Sequence, residues 1–405
     1  MRVLFVSGGD FSIATDKQAL WFAEELGRRG HEVMFSIGRA LSTAATEGAD
    51  RLPGVAPRRH RFVGRRLSRA DTEAARAFAP TLIHAVNPRL ETIAPAEGYQ
   101  RATGSPVFVH WEDDEWTLRS DPMTRSAVRR AGRHGRRALA HLHPPQGCFV
   151  TPATLRWAAE HAAGHDALTP ALAHAVRERL GVPCEVVLPA TPLRTFDPAE
   201  DERPPELPQG LAGRRLAAIT GTVHKASEPD LRIALEAIGR LQAAGHDIGF
   251  VHAGAALRRF DLERSAREAG LAEGTFAFLG YLPYRAIPPL LRRADFLLQP
   301  GHPTEFNRLR LPAKMQAYLA SGTPTITFAV GFAELLEDGA DVLKTYTGDP
   351  EELAARLASL ADDTDLRQRI GAGGAVAARR LFDPERNTDV LLAHYEATLD
   401  ASAAA

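Results

Sequence analysis

The sequence predicts an α/β protein in which two doubly wound parallel-sheet domains face a cleft. Three observations predict it: a length of 405 residues, short apolar runs that alternate with amphipathic stretches, and a proline-rich break near the middle. A chain of this length is too long for one ordinary core and fits two domains of about 200 residues each. Strands that alternate with helices predict parallel sheets covered on both faces.

In the first half, residues 3–6 form a β-rich run that ends at Gly8 and Gly9. The backbone of such glycines can approach a ligand closely, so we expect an acceptor or phosphate loop there, with a plain tight turn as the alternative. The next predicted elements are a helix at residues 17–29 and strands at residues 32–37, 82–86 and 107–110. We predict an N-terminal domain over residues 1–200, with a C-terminal helix in residues 386–405 packing back on it.

The second half repeats this pattern after a linker predicted at residues 201–213, which are rich in proline. The second domain is predicted over residues 214–385. Its predicted strands are residues 216–220, 248–253, 276–279, 296–298 and 325–328. The first two of these strands end at Gly221 and Gly254. Since ligands bind α/β proteins beyond the carboxyl ends of parallel strands, this edge is a predicted binding site.

The composition excludes several classes of function. A formal charge of −1 gives no overall attraction to nucleic acid or anionic lipid. The two cysteines, Cys148 and Cys184, form no CxxC pair or metal-spaced cluster, which argues against a disulfide framework. The sequence lacks an 18-residue apolar window, so we expect a cytoplasmic protein, at most peripheral at the inner face of a membrane.

The most informative stretch is residues 300–339. Asn307, Arg308, Arg310 and Lys314 lie in a predicted loop that enters a helix near Pro312. Proline is common in the first turn of a helix, and the helix N-terminus offers amide donors and a positive dipole end. Basic side chains at such a place predict a diphosphate site.

With these motifs the chain resembles retaining GT-B glycosyltransferases of glycosyltransferase family 4. The resemblance rests on residues 26–33, 278–282, 318–324 and 330–334, together with the basic stretch. It implies two Rossmann-like domains, with a nucleoside-diphosphate sugar, GDP-linked sugars included, in the C-terminal domain. The N-terminal domain would hold a small-molecule, glycan or lipid-linked acceptor. Retention would follow a front-face route, in which the leaving phosphate helps to deprotonate the acceptor.

The resemblance also implies site residues. The donor-binding residues would be Gly221, Lys225, Gly254, Tyr281, Leu282, Asn307, Arg308, Arg310, Lys314 and Gln316. Arg308 and Lys314 would also be catalytic, because they stabilise the charge that develops on the leaving diphosphate. We expect no metal and no other cofactor besides the donor co-substrate, since basic groups can neutralise the diphosphate.

The chain departs from the family at two positions. Leu309 and Ala317 stand where the family usually carries glutamates, and neither side chain accepts a hydrogen bond. This departure favours an alternative function, a catalytically silent GT-B protein that binds a sugar nucleotide or acts as a scaffold for a partner enzyme.

An acidic run follows the strand at residues 107–110, and it contains Glu112 and Asp113 between two tryptophans. Crowded carboxylates raise one another's pKa, and aromatic faces suit sugar rings. Our hypothesis is that Glu112 or Asp113 is catalytic and orients the acceptor hydroxyl or the donor sugar. A solvated acidic loop is the alternative.

Seven arginines, the first Arg119 and the last Arg137, lie in residues 119–137. A basic helix there predicts a weak peripheral contact with anionic lipid, and a solvated face or a phosphate-rich acceptor is the alternative.

Overall fold

The computed structural model describes residues 1–9, 14–38, 55–59, 62–63, 66–120, 150–197, 203–223, 227–256 and 260–404. Its strands are β1 Arg2–Ser7, β2 Glu32–Ile37, β3 Val55–Arg59, β4 Phe62–Val63, β5 Arg66–Leu67, β6 Leu82–Val86, β7 Val107–Trp111, β8 Gly164–Ala167, β9 Glu185–Val186, β10 Arg215–Thr220, β11 Ile248–Ala253, β12 Phe276–Phe278, β13 Phe296–Gln299, β14 Thr325–Phe328 and β15 Leu343–Thr345.

The helices of the described ranges are α1 Ala14–Arg28, α2 Arg69–Phe78, α3 Leu90–Thr103, α4 Glu115–Ser120, α5 Pro152–His161, α6 Pro170–Leu180, α7 Glu228–Ala243, α8 Leu262–Glu268, α9 Ile287–Arg293, α10 Glu305–Leu309, α11 Lys314–Ala320, α12 Pro350–Asp362, α13 Thr364–Phe382 and α14 Pro384–Ala404. Among them, none combines the length and the apolar character that crossing a bilayer requires.

Local chemistry explains where several helices begin and end. The side chains of Thr151 and Thr169 accept a backbone hydrogen bond at the start of α5 and of α6, and each helix carries proline in its first turn. Gly104 and Gly181 close α3 and α6 in the left-handed conformation. These signals are local in sequence, and they set where these helices begin and end.

In the described chain, the first sheet has seven strands in the order β3-β2-β1-β6-β7-β8-β9, all parallel. The second has six parallel strands in the order β12-β11-β10-β13-β14-β15. In each sheet the order reverses beside its first strand, β1 or β10, and ligands of α/β sheets bind outside the carboxyl ends at such a switch point. The prediction of two α/β parallel-sheet domains is confirmed.

The chain divides into two compact units. The first unit contains residues 1–191, 309–311 and 383–405, and the second contains residues 192–308 and 312–382. The C-terminal helix α14 is therefore part of the first unit, where Leu391 and Tyr395 join the buried apolar side chains of β1, β2 and α1. In the second unit, α7 and α12 pack their apolar faces against the sheet. Each sheet thus has its own core, which fixes the positions of its strand ends.

Candidate functional site

Two glycines shape the carboxyl edge of the second sheet. Gly221 follows β10 with φ 115°, and Gly254 follows β11 with φ 155°. A Cβ atom on Gly254 would come closer than 3.0 Å to the backbone of Gly221, a distance that real Cβ atoms do not reach. Gly254 N–H also donates to the carbonyl of Gly280, 2.7 Å away. Only glycine fits at residue 254, and the two strand ends therefore present bare backbone.

Lys314 brings positive charge to this edge. Its Cε and Nζ atoms lie 3.5 and 3.7 Å from where a Cβ of Gly221 would be. His252 donates through Nε2 to the carbonyl of Gly221, 3.0 Å away. Burial is the main cause that lowers the pKa of His252 to about 4, and the Lys314 ammonium is a second, smaller cause. The imidazole is therefore neutral near neutral pH, and Lys314 supplies the charge beside the glycines.

Tyr318 fixes α11 to the sheet. Its hydroxyl accepts a hydrogen bond from the backbone N–H of Thr220, the last residue of β10, at 2.7 Å. Burial raises the pKa of Tyr318 to about 12, so this hydroxyl keeps its proton. Lys314 and Tyr318 are four residues apart and share one face of the helix. The contact that holds Tyr318 therefore also directs Lys314 toward the end of β10.

The loop that we predicted before this helix is partly helical. Residues 305–309 form the short helix α10, and the next helix begins at Lys314, two residues after Pro312 and close to where the sequence predicts it. Asn307 donates through Nδ2 to the carbonyl of His302 at 2.9 Å, so its side chain stabilises the loop. Arg308 is exposed. The prediction of an open loop was wrong, because the hydroxyl of Thr304 accepts from Asn307 N–H and closes a first helical turn.

Two predicted donor residues, Arg310 and Gln316, differ from the exposed Arg308 in the unit to which they belong or in their burial. Arg310 belongs, with residues 309–311, to the first unit, whereas Arg308 and Lys314 belong to the second. Leu309 packs in the first unit's core, and its carbonyl accepts from the hydroxyl of Thr169 at 2.9 Å. Gln316 is only 2% exposed. The apolar core around residue 309 explains why a leucine, and not a glutamate, stands there.

The remaining predicted donor residues differ in exposure. Tyr281 is 66% exposed, whereas Leu282 packs against a small apolar cluster of the second unit. Lys225 lies outside the described residues, as do nearly all of residues 119–137.

In the first unit, Gly8 has a packing role. A Cβ atom there would collide with the side chain of Glu91, and the carbonyl of Gly8 lies against Gly38. Gly9 N–H donates to the hydroxyl of Ser7 at 3.2 Å. These contacts describe a tight turn at the end of β1.

The acidic run after β7 is not a solvated loop, because three of its carboxylates are buried. Glu112 is 5% exposed, and Asp114 and Glu115 are fully buried. Arg89 pairs with Asp113 at 2.9 Å and with Glu115 at 2.7 Å. The pKa of Glu115 is raised to about 7. Burial is the largest cause, and the neighbouring carboxylates raise the pKa by a smaller amount. The predicted upward shift is present, but burial rather than crowding is its main cause.

The tryptophans of this run are structural. Trp111 is fully buried and stacks on Trp116, with ring centroids 5.3 Å apart. The guanidinium of Arg179 lies 4.7 Å from the ring of Trp116. One indole is therefore in the core, and the other lies against it and against a cation.

Sequence reasoning missed a group of polar side chains inside the first sheet. His84, His110 and Asp166 offer ligand atoms that all lie within 4.8 Å of one another, an arrangement that could hold a metal ion. His110 Nδ1 makes a very close contact with Asp166 Oδ1, and His84 Nε2 lies 3.1 Å from Asp166 Oδ2. Imidazole beside carboxylate balances charge without a metal. The signal was present in the sequence: polar residues interrupt otherwise apolar buried strands.

The sequence is similar to a known family model and to known glycosyltransferases. Residues 214–363 match the family model for glycosyl transferases group 1. Over 260 residues the chain is 32% identical to 2-deoxystreptamine glucosyltransferase of Streptomyces kanamyceticus, covering 62% of this chain and 64% of the relative. Over 236 residues it is 27% identical to alpha-D-kanosaminyltransferase of the same organism, covering 56% and 59%. The chain thus spans less than two-thirds of the length of these relatives.

Solved structures share the architecture. Anabaena HepE in complex with UDP and glucose has a TM-score of 0.73 at 15% identity, covering 98% of this chain and all of that one. WaaG, a glycosyltransferase involved in lipopolysaccharide biosynthesis, has a TM-score of 0.61 at 14% identity, covering 96% and 99%. At such identities the likeness shows the fold alone. The family match is thus confined to residues 214–363, whereas the likeness in fold to these GT-B structures extends over nearly the whole chain.

Proposed function

We propose that the chain is a glycosyltransferase that moves a sugar from a nucleoside-diphosphate donor to a hydroxyl of a second substrate. The matching family model and relatives named as transferases support the proposal. The observation that carries it is the Lys314 side chain beside Gly221, at the switch point of the second sheet. Bare backbone lets a diphosphate approach, and an ammonium compensates its charge.

We propose a UDP-linked hexose as the donor, with UDP-glucose the first candidate. HepE has been crystallised with UDP-glucose, and one relative is named a glucosyltransferase. In this proposal Lys314 and the exposed Arg308 stabilise the charge on the leaving UDP. Tyr281, exposed after β12, is a candidate to contact the nucleotide, and Lys225 is a further predicted contact. The reaction needs no divalent metal, so chelation with EDTA should leave transfer unchanged.

The proposed acceptor is a ring polyol that binds to the first unit. The name of one relative gives 2-deoxystreptamine, which is a cyclic polyol. Glu112, at the end of β7, is the proposed residue that orients the acceptor hydroxyl. Retention of configuration, implied by the resemblance to family 4, is tested by the NMR coupling constants of the product.

The first experiment measures UDP binding by calorimetry. We expect Lys314→Ala to weaken binding by about tenfold or more, since a charge-assisted hydrogen bond contributes about 1.5–3 kcal/mol. Lys344→Ala is the matched control, because Lys344 lies on the outermost strand β15 of the same sheet. Equal UDP affinity of the wild type and Lys314→Ala would remove the basis of the proposal.

The second experiment separates an enzyme from the scaffold alternative, which the names of the relatives do not favour. UDP-glucose and 2-deoxystreptamine are incubated with the protein, and glycosylated product and free glucose are measured. We expect transfer or slow donor hydrolysis. Tight UDP-glucose binding with neither product would favour the scaffold.

A further inference from the structure

His302 lies at the switch point of the second sheet, just after the end of β13. The strands β13 and β10 are neighbours, and the chain continues from them to opposite sides, to β14 and to β11. His302 comes from the β13 side, whereas Asp230, in the first turn of α7, comes from the β10 side. Because ligands of α/β sheets bind in the crevice between such loops, a polar side chain here is in a place to contact one.

A buried acidic side chain holds the imidazole of His302. The Nδ1 atom of His302 lies 3.2 Å from Oδ1 of Asp230, within hydrogen-bond distance. The side chain of Asp230 is only 9% exposed, whereas that of His302 is 42% exposed. Within the described part of the chain, Nδ1 is the ring nitrogen that has a hydrogen-bond partner, and Nε2 has none. One nitrogen is therefore used inside the protein, and the other remains for a ligand.

The backbone of His302 is held as well. Its carbonyl accepts from the N–H of Thr304 at 2.8 Å and from Nδ2 of Asn307 at 2.9 Å. Gly348, in the loop after β15, packs against the same segment. A Cβ atom on Gly348 would lie 3.4 Å from Cα of His302 and 2.9 Å from the carbonyl oxygen of Gly301. The loop that carries the imidazole is thus fixed by contacts on both sides of it.

A hydroxyl group fits Nε2 in either protonation form of the ring. Nε2 accepts a hydrogen bond when it carries no proton and donates one when it does, and a hydroxyl can both donate and accept. A phosphate oxygen only accepts. The diphosphate already has a proposed contact in Lys314, which lies beside Gly221 at the end of β10. A polar group from the β13 side is therefore suited to another part of the donor, one that carries hydroxyls.

We propose that His302 binds a hydroxyl of the transferred sugar through Nε2, with Asp230 and Asn307 as the residues that position it. The inference rests on the proposed function, because it needs a nucleotide sugar at this edge of the sheet. It adds the residue that distinguishes the sugar-bearing donor from the nucleoside diphosphate left after transfer. A hydroxyl held in this way fixes the orientation of the sugar ring before reaction.

The first test compares UDP with UDP-glucose by calorimetry. The variant His302→Phe keeps an aromatic ring and removes both nitrogens. We expect it to bind UDP-glucose about three- to tenfold more weakly than the wild type, since one hydrogen bond is lost, and to bind UDP equally well. Weakening of both ligands alike, or of neither, would contradict the proposal.

The matched control is His246→Phe. His246 is also partly exposed, and its Nδ1 lies 3.9 Å from a carboxylate oxygen of Asp362. It precedes β11 and is therefore at the amino edge of the same sheet. Both affinities should stay at the wild-type values in this variant.

Two amide variants separate a ligand contact from a structural one. The amide of asparagine reaches about as far as Nδ1 of histidine, and that of glutamine about as far as Nε2. His302→Asn can therefore keep the contact with Asp230, whereas His302→Gln can keep the contact with the sugar. We expect His302→Gln to retain more of the UDP-glucose affinity. The reverse order would show that the ring acts only through Asp230, and the inference would be wrong.

The same titrations separate a failure of this inference from a failure of the proposed function. If the wild type binds neither UDP nor UDP-glucose, the proposed function fails and the inference fails with it. If the wild type binds both, and His302→Phe weakens them equally or not at all, the inference alone fails. The proposed diphosphate site at Lys314 then stands.

Discussion

The carboxyl edges of the two sheets use different chemistry on the same architecture. At the first edge, carboxylates, imidazoles and Arg89 are buried and compensate one another. At the second, Gly221 and Gly254 remove side chains altogether, and Lys314 lies beside them. A parallel sheet fixes where strand ends lie but not what they carry. The difference teaches that the first edge holds buried charges in internal pairs, while the second places the side chain of Lys314 beside bare backbone.

The largest effect should come from breaking the buried charges of the first edge. We expect Asp166→Asn to lower the free energy of unfolding by about 3 kcal/mol, because both imidazoles lose their carboxylate. The measurement is urea denaturation followed by circular dichroism. Asp247→Asn removes an exposed carboxylate paired with Arg214 in the second unit and should cost less than about 1 kcal/mol. Equal losses would contradict the comparison.

A smaller effect is expected from filling the bare backbone of the second edge. Gly254→Ala should lower the free energy of unfolding by about 2 kcal/mol, since the added Cβ collides with the backbone of Gly221. Gly245→Ala is the control: Gly245 also has a positive φ, 91°, but nothing lies within 4 Å of its Cβ position. The control should cost about 1 kcal/mol, from strain alone. If both variants unfold alike, the close approach of the two strand ends is not what requires glycine.

The smallest effect concerns pH. The unfolded chain protonates His252 near its ordinary pKa of 6.5, whereas the folded protein does so only near 4. Stability is therefore lost as pH falls, by about 1 kcal/mol between about pH 7.5 and about pH 5.5. His110 contributes with the opposite sign: because its folded pKa is raised, its stabilisation is lost as pH rises through that value.

Thermal unfolding across this pH range measures the effect. His252→Gln should remove that part of the dependence of stability on pH. If the stability of His252→Gln fell more steeply toward acid pH than that of the wild type, the expected sign of the His252 contribution would be wrong.

Much of the fold followed from local patterns. Residues 32–37, 82–86, 248–253 and 325–328 are strands as predicted, since each is a short run suited to a buried parallel strand. Gly221 and Gly254 end their strands as predicted, because a turn that needs a positive φ selects glycine. The helix at residues 305–309 was missed, because a single hydroxyl contact decides it.

The sequence by itself determined the two parallel sheets, the glycines that end their strands and the basic character of residues 307–314, because periodicity and backbone preference are properties of neighbouring residues. Only the tertiary structure decided that Leu309 lies in the first unit's core, that Gln316 is buried, and that Arg89 pairs with the acidic run. The contact between His84 and Tyr395 likewise joins residues 311 positions apart. Such pairings depend on strand order and register, which bring distant side chains to one face of a sheet and which no local pattern records.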